Sequence, residues 1–126
     1  MSRTGATRAR VRNHHNGVMA EYAAMLWLSL KGYRLVTMRY KTPVGEIDLV
    51  MRRGKTLAFI EVKARKQHDD AARAIHSQNQ SRVIRASQYF LVNHAAYGDY
   101  QVRFDAVLVA WYRWPRHFRH AFISAV

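Results

Sequence analysis

Glu46, Asp48 and Glu61 are three of only eight acids in a chain that carries 21 Lys+Arg, and they fall within sixteen residues of largely apolar sequence. Lys63 follows Glu61 by two positions. Residues 46–52 and 56–63 are rich in strand formers, and Arg53-Gly54 between them is a hairpin signal. Side chains on a strand alternate between faces, so parity decides which of them meet. A loop of Arg53-Gly54, or of the four residues 52–55, pairs Asp48 with Phe59 and Glu46 with Glu61. One face then collects Ile47, Leu49 and Met51 with Ala58, Ile60 and Val62. The other collects Glu46, Asp48, Val50 and Arg52 with Leu57, Phe59, Glu61 and Lys63. A slip of one residue would put carboxylates into the apolar face, which is costly.

In that register Asp48 is diagonal to Glu61, at a backbone separation of about 7–8 Å, within reach for two carboxylates to share one cation. Two acids this close repel, and one of them must otherwise take up a proton. A hard divalent ion resolves the conflict, with oxygen ligands at about 2.0–2.1 Å for Mg²⁺. The Lys63 ammonium can orient an attacking water or stabilise charge developing on a phosphate. Glu21, on a preceding helix, supplies a third carboxylate if that helix packs across the same face. The chemistry expected of this set is metal-assisted hydrolysis of a phosphodiester. The plainer alternative is a set of solvated cross-strand pairs among Glu46, Glu61 and Lys63. A Glu-Val-Lys that closes an apolar strand, with an acid of matching parity across a hairpin, favours the metal reading.

The elements that must position these groups follow from periodicity. Residues 18–30 place Met19, Tyr22, Ala23, Leu26 and Leu30 on one helical stripe, and Lys31-Gly32 ends it. Residues 33–40 read as a first strand, punctuated by Pro43 and Gly45, and the hairpin follows. Helical sequence begins near Ala71 and is secure over residues 81–94, with Val83, Ala86, Ser87 and Phe90 as its stripe. Tyr97-Gly98-Asp99 is a turn, residues 100–111 form a buried strand, and Trp114-Pro115 ends the regular structure. The tail 119–126 is open to either a short strand or a helix. The order α-β-β-β-α-β indicates an α/β layered fold.

Composition narrows the partners. At 126 residues the chain has the length of one domain, and 49% hydrophobic residues exclude a disordered basic tail. There are no cysteines, which excludes disulfide scaffolds and thiolate chemistry and fits a reducing, cytoplasmic compartment. No apolar run approaches the ~20 residues that span a bilayer, so no membrane partner is expected. The net charge of +13 points to a polyanion. Residues 1–16 read as a flexible basic arm, and residues 17–126 as a single domain. The histidines show no zinc spacing.

Three separated motifs, 45-GEIDLV-50, 59-FIEVKAR-65 and 103-RFD-105, together resemble the YraN-type family of small bacterial proteins. That family is similar to archaeal Holliday-junction resolvases. The resemblance covers residue 17 to the end. It implies a restriction-endonuclease-like fold, a central mixed β-sheet flanked by helices, and an Mg²⁺- or Mn²⁺-dependent endonuclease of the D-ExK type. Asp48 and Glu61 would be the metal ligands, Lys63 the catalytic lysine, and Glu21 the helix carboxylate that completes the site. Gln80, on the second helix, is a candidate contact to the scissile phosphate or its water. Arg39 stands where the family commonly has Asn. Branched or recombining DNA is the implied substrate, and a homodimer is implied because two strands must be cut.

Basic residues surround the proposed centre. Arg39 and Lys41 on the first strand, Arg65 and Lys66 after the active strand, and Arg82 and Arg85 on the second helix form a track for backbone phosphates. No helix is laid out as a major-groove reader, so shape or strandedness is the expected basis of recognition. Trp111, Tyr112 and Trp114 are candidates to stack on unpaired bases, or to belong to a core or dimer interface. Asp105 reads better as a partner for Arg103 than as a site residue. Two further readings stand beside the nuclease: a non-catalytic nucleic-acid-binding module with a vestigial metal site, and an interaction protein docking on ribonucleoprotein through charge.

Overall fold

A computed structural model describes residues 17–64, 80–111 and 113–121. The basic arm 1–16, Arg65, Lys66, the start of helical sequence at Ala71, Tyr112 and the last five residues lie outside them. Helix α1 (17–30) is followed by strands β1 (Arg34–Thr42), β2 (Gly45–Arg53) and β3 (Thr56–Ala64). Helix α2 (Gln80–Asn93), a 3₁₀ turn (Ala95–Tyr97), β4 (Gln101–Val109) and β5 (Arg116–Phe118) complete the order. Among the described residues, five strands form one mixed sheet in the order β1-β2-β3-β4-β5, antiparallel except for β3 and β4. The fold is α/β, in the order α-β-β-β-α-β with β5 added, the arrangement of restriction-endonuclease-like proteins. The parallel β3–β4 pair requires a crossover, and α2 lies within it. No helix of the described residues is long and apolar enough to cross a membrane.

Each face of the sheet carries its own core. Ala20, Ala24 and Leu28 of α1 pack with Leu49, Met51, Ala58, Ile60, Val107 and Val109. On the opposite face Val83, Ala86 and Phe90 of α2 pack with Ile47, Val50, Leu57, Phe59 and Phe104. The second helix therefore buries the stripe expected of it, including Ser87.

The first helix reverses its expected orientation. Met19, Tyr22, Leu26 and Leu30 are 47%, 48%, 61% and 82% exposed, and the alanine face is the buried one. Apolar residues occupy both sides of this helix, and a periodicity count weighted by size selects the larger set. Close approach to the sheet selects the smaller set, since Ala20 and Ala24 bring the helix backbone down onto the strands.

The hairpin register also differs from the expected one. Arg53 pairs with Thr56 and Leu49 with Ile60, so the two-residue turn is Gly54-Lys55. Gly54 has φ 59, a left-handed conformation glycine supplies without steric cost. A shift of two residues preserves parity but moves Asp48 and Glu61 from diagonal positions to the flanks of one pair, Leu49–Ile60.

The expected apolar face does not hold at Ile47, which joins the α2 side while Leu49 stays on the α1 side. The reason lies in β1. Arg39 sits between the Met38–Leu49 and Tyr40–Ile47 pairs with φ 50. Met38 and Tyr40, two residues apart, consequently pack on opposite cores. The alternation of faces breaks at Arg39 and Asp48.

Past Trp114-Pro115 the chain makes another strand instead of ending its regular structure. Leu108 pairs with Arg116 and Ala106 with Phe118. His117 thus lies on a strand.

Candidate active site

Asp48 stands where β2 changes face, and its carboxylate replaces a rung of the ladder. Val62 donates its backbone N–H to Asp48 Oδ2 at 2.8 Å, just beyond the last paired residues, Leu49 and Ile60. Glu61, one residue earlier on β3, is buried, and Lys63 Nζ lies 3.0 Å from its Oε1. Glu21 of α1 approaches from the helix side and accepts a 2.7 Å bond from Arg39 Nε.

Two adjoining cavities converge on Asp48 and Glu46. One, of about 270 Å³, is lined by α1 and β1–β2 residues including Gly17, Glu21, Arg39 and Lys41. The other, of about 230 Å³, is lined by Glu61, Val62, Lys63, Arg82 and Val83. Together they make a cleft across one end of the central strands β2 and β3, walled by α1 on one side and α2 on the other. Gly45 sets the second wall. A Cβ at that position would lie 2.2 Å from the carbonyl oxygen of Arg82, so only glycine lets β2 begin against the backbone of α2.

The electrostatics single out Asp48. Burial, chiefly, pushes its pKa up to about 6 from 3.8, and the charges of Glu21 and Glu61 push the same way. The Val62 N–H and the Lys63 ammonium oppose them without prevailing. Burial among acids is the condition a divalent cation relieves, and Asp48 and Glu61 offer the hard oxygen donors Mg²⁺ takes. Among the described residues, however, no three His, Cys, Asp or Glu side chains are grouped closely enough to hold a metal ion. Glu21, near enough for its charge to raise the Asp48 pKa, is engaged by Arg39.

The sequence-derived residues are thus gathered unevenly. Asp48, Glu61, Lys63 and Glu21 share the cleft, with Lys41 and Arg82 on its walls. Arg39 lines it too, but as the partner of Glu21. Gln80 opens α2 and Arg85 is exposed further along it; neither lines the cleft as described. Arg65 and Lys66 lie outside the described residues. Glu46, read from sequence as a motif residue without a metal role, lines both cavities. The Arg39–Glu21 pair went unread, because no local signal links positions 18 residues apart.

A second acid centre lies within the sheet. Asp105 is fully buried, and Arg103 donates to it through Nε and a terminal nitrogen, each at 2.8 Å. His117 Nε2 donates at 2.7 Å and the His120 backbone N–H at 3.2 Å. The hydroxyl of Tyr33 accepts from the same guanidinium. Burial alone would raise the pKa of Asp105, but the bonds from His117 and Arg103 outweigh it and hold the carboxyl below its ordinary value. The sequence pairing of Arg103 with Asp105 is present within β4, and the His117 bond to the same carboxylate ties β5 to it.

Comparison with known proteins places this architecture. A family model described as "Uncharacterised protein family UPF0102" matches residues 20–109. A UPF0102 protein of Rhodopseudomonas palustris (strain BisB18) is 50% identical over 113 residues, covering 90% of this chain and 84% of the relative. One from Nitrobacter winogradskyi is 48% identical, covering 90% of this chain and 96% of the relative. Another, from Parvibaculum lavamentivorans, is 50% identical, covering 83% and 79%. The match takes in both walls of the cleft and the Arg103–Asp105 centre, and the chain belongs to the UPF0102, or YraN-type, family.

Proposed function

We propose that the chain is a metal-dependent nuclease of the cytoplasm that binds DNA and hydrolyses its phosphodiester bonds, with branched or recombining DNA as its substrate. The observation that carries this reading is the convergence of Asp48, Glu61 and Lys63 at one end of the central strands, inside a cleft of a chain with net charge +13. Asp48 and Glu61 would hold Mg²⁺ or Mn²⁺, with Glu21 joining them on release from Arg39. The cation would supply Lewis-acid polarisation of the phosphate and a nucleophile at neutral pH. Lys63, held against Glu61, keeps an ammonium at the cleft wall where charge develops on a phosphate oxygen. Lys41 and Arg82 bind the backbone on either side of the acids, which supplies affinity without reading sequence. A pair of chains would present two clefts to two strands.

The test is cleavage of duplex, single-stranded, flap and four-way DNA with and without Mg²⁺. Cleavage that needs Mg²⁺ and disappears in Glu61→Gln supports the reading. Cleavage that survives this substitution, or none on any substrate, overturns it. A second reading, a non-catalytic binding module, is favoured by the ion pairs that already neutralise Glu21 and Glu61 within the protein. It predicts salt-dependent DNA binding with no cleavage in the presence or absence of Mg²⁺.

A further inference from the structure

Trp114 is 77% exposed although one face of its ring is covered. The covering group is Trp27 of α1, with ring centroids 5.3 Å apart and planes inclined by 30°. An indole propped on another indole, with its outer face in water, is a stacking surface left open. Lys31 Nζ lies 5.2 Å from the Trp27 ring centroid, and Arg113 beside Trp114 is exposed. Aromatic faces set among cations are the means by which proteins hold unpaired bases and their phosphates together.

Topology places this pair near the cleft. Strands β3 and β4 run parallel, with Lys63 beside Leu108 and Ala64 beside Val109. The chain therefore leaves β4 towards Trp114 one strand over from Glu61 and Lys63. Neighbouring strands are about 4.7–4.9 Å apart, so the end of β4 that leads to Trp114 lies beside the end of β3 that carries Glu61 and Lys63.

We propose that Trp114, backed by Trp27, stacks an unpaired nucleobase of a strand whose backbone runs along the cleft. The protein then discriminates by strandedness, since bases within a closed duplex already have both faces covered. The inference deepens the nuclease reading and takes from it only the path of the strand.

The test is binding of the full chain, in EDTA, to a single-stranded oligo-dT of about 12 nucleotides and to a blunt, fully paired duplex, at fixed salt. Tryptophan fluorescence and the anisotropy of labelled DNA are both read. The wild type should prefer oligo-dT, with quenching. Trp114→Leu should weaken oligo-dT binding about tenfold and leave the duplex unchanged, and Trp114→Phe should restore most of the loss. Equal loss on both DNAs, no loss on either, or no rescue by Phe overturns the proposal. A change of oligomeric state in Trp114→Leu by light scattering also overturns it, assigning the indole to a protein interface. Because binding is read without divalent ions, a protein that shows the stacking signature but never cuts overturns the nuclease reading alone.

Discussion

Asp48, half-buried, and Asp105, fully buried, lie on the same sheet, and their surroundings drive them in opposite directions. Asp105 has a guanidinium, an imidazole and a backbone N–H pointed at it, and its pKa falls. Asp48 has one backbone N–H from Val62 and two acids for neighbours, and its pKa rises to about 6. A buried carboxylate surrounded by donors is fully used within the fold. One kept among other acids retains the capacity to bind something further. The difference separates a structural acid from the candidate functional one without appeal to motif.

The largest effect should come from breaking the satisfied centre. Asp105→Ala strands the buried Arg103 guanidinium and should cost about 3–5 kcal/mol in urea unfolding. Next, Glu61→Gln should reduce Mg²⁺-dependent cleavage by at least about a hundredfold, on the scale of losing one transition-state contact. Its midpoint in urea should stay close to the wild type's. Asp48→Asn should stabilise the metal-free protein at pH 7 by about 2 kcal/mol, since it removes a disfavoured charge yet still accepts the Val62 N–H.

The pH dependence separates the two acids. Asp48 binds its proton more tightly folded than unfolded, so metal-free stability should fall as pH rises from about 4 to about 6 and then level off. That slope should be absent in Asp48→Asn. Asp105, with its lowered pKa, contributes stability above the ordinary carboxylate range that is lost as the pH falls below it. The smallest effect belongs to an exposed pair: Lys55→Ala, which removes the 3.2 Å contact with Asp99, should change stability by less than about 0.5 kcal/mol.

What could be read from sequence was parity. Leu49, Met51, Ala58 and Ile60 share a core, and Val83, Ala86 and Phe90 face the sheet, because local periodicity records which side is buried. Register escaped, since Gly54 can take either position of a two-residue turn and the apolar pattern is indifferent to a shift of two. The orientation of α1 escaped because both its faces are apolar, and only the depth of packing distinguishes Ala24 from Leu26. The switch of Ile47 depends on the conformation of Arg39 on another strand. The carboxylates of the cleft were legible as a group, whereas the engagement of Glu21 by Arg39 depends on contacts that no spacing encodes.

Arg39 is also where folding and chemistry ask for different residues. A left-handed φ of 50 is tolerated by Asn and strained for Arg, yet the Arg39 guanidinium reaches Glu21, which an Asn side chain is too short to do. Replacement by Asn would relieve the backbone and set the Glu21 carboxylate free, trading an ion pair for a third acid beside Asp48. One position thus sets both the backbone strain of β1 and the charge balance beside Asp48.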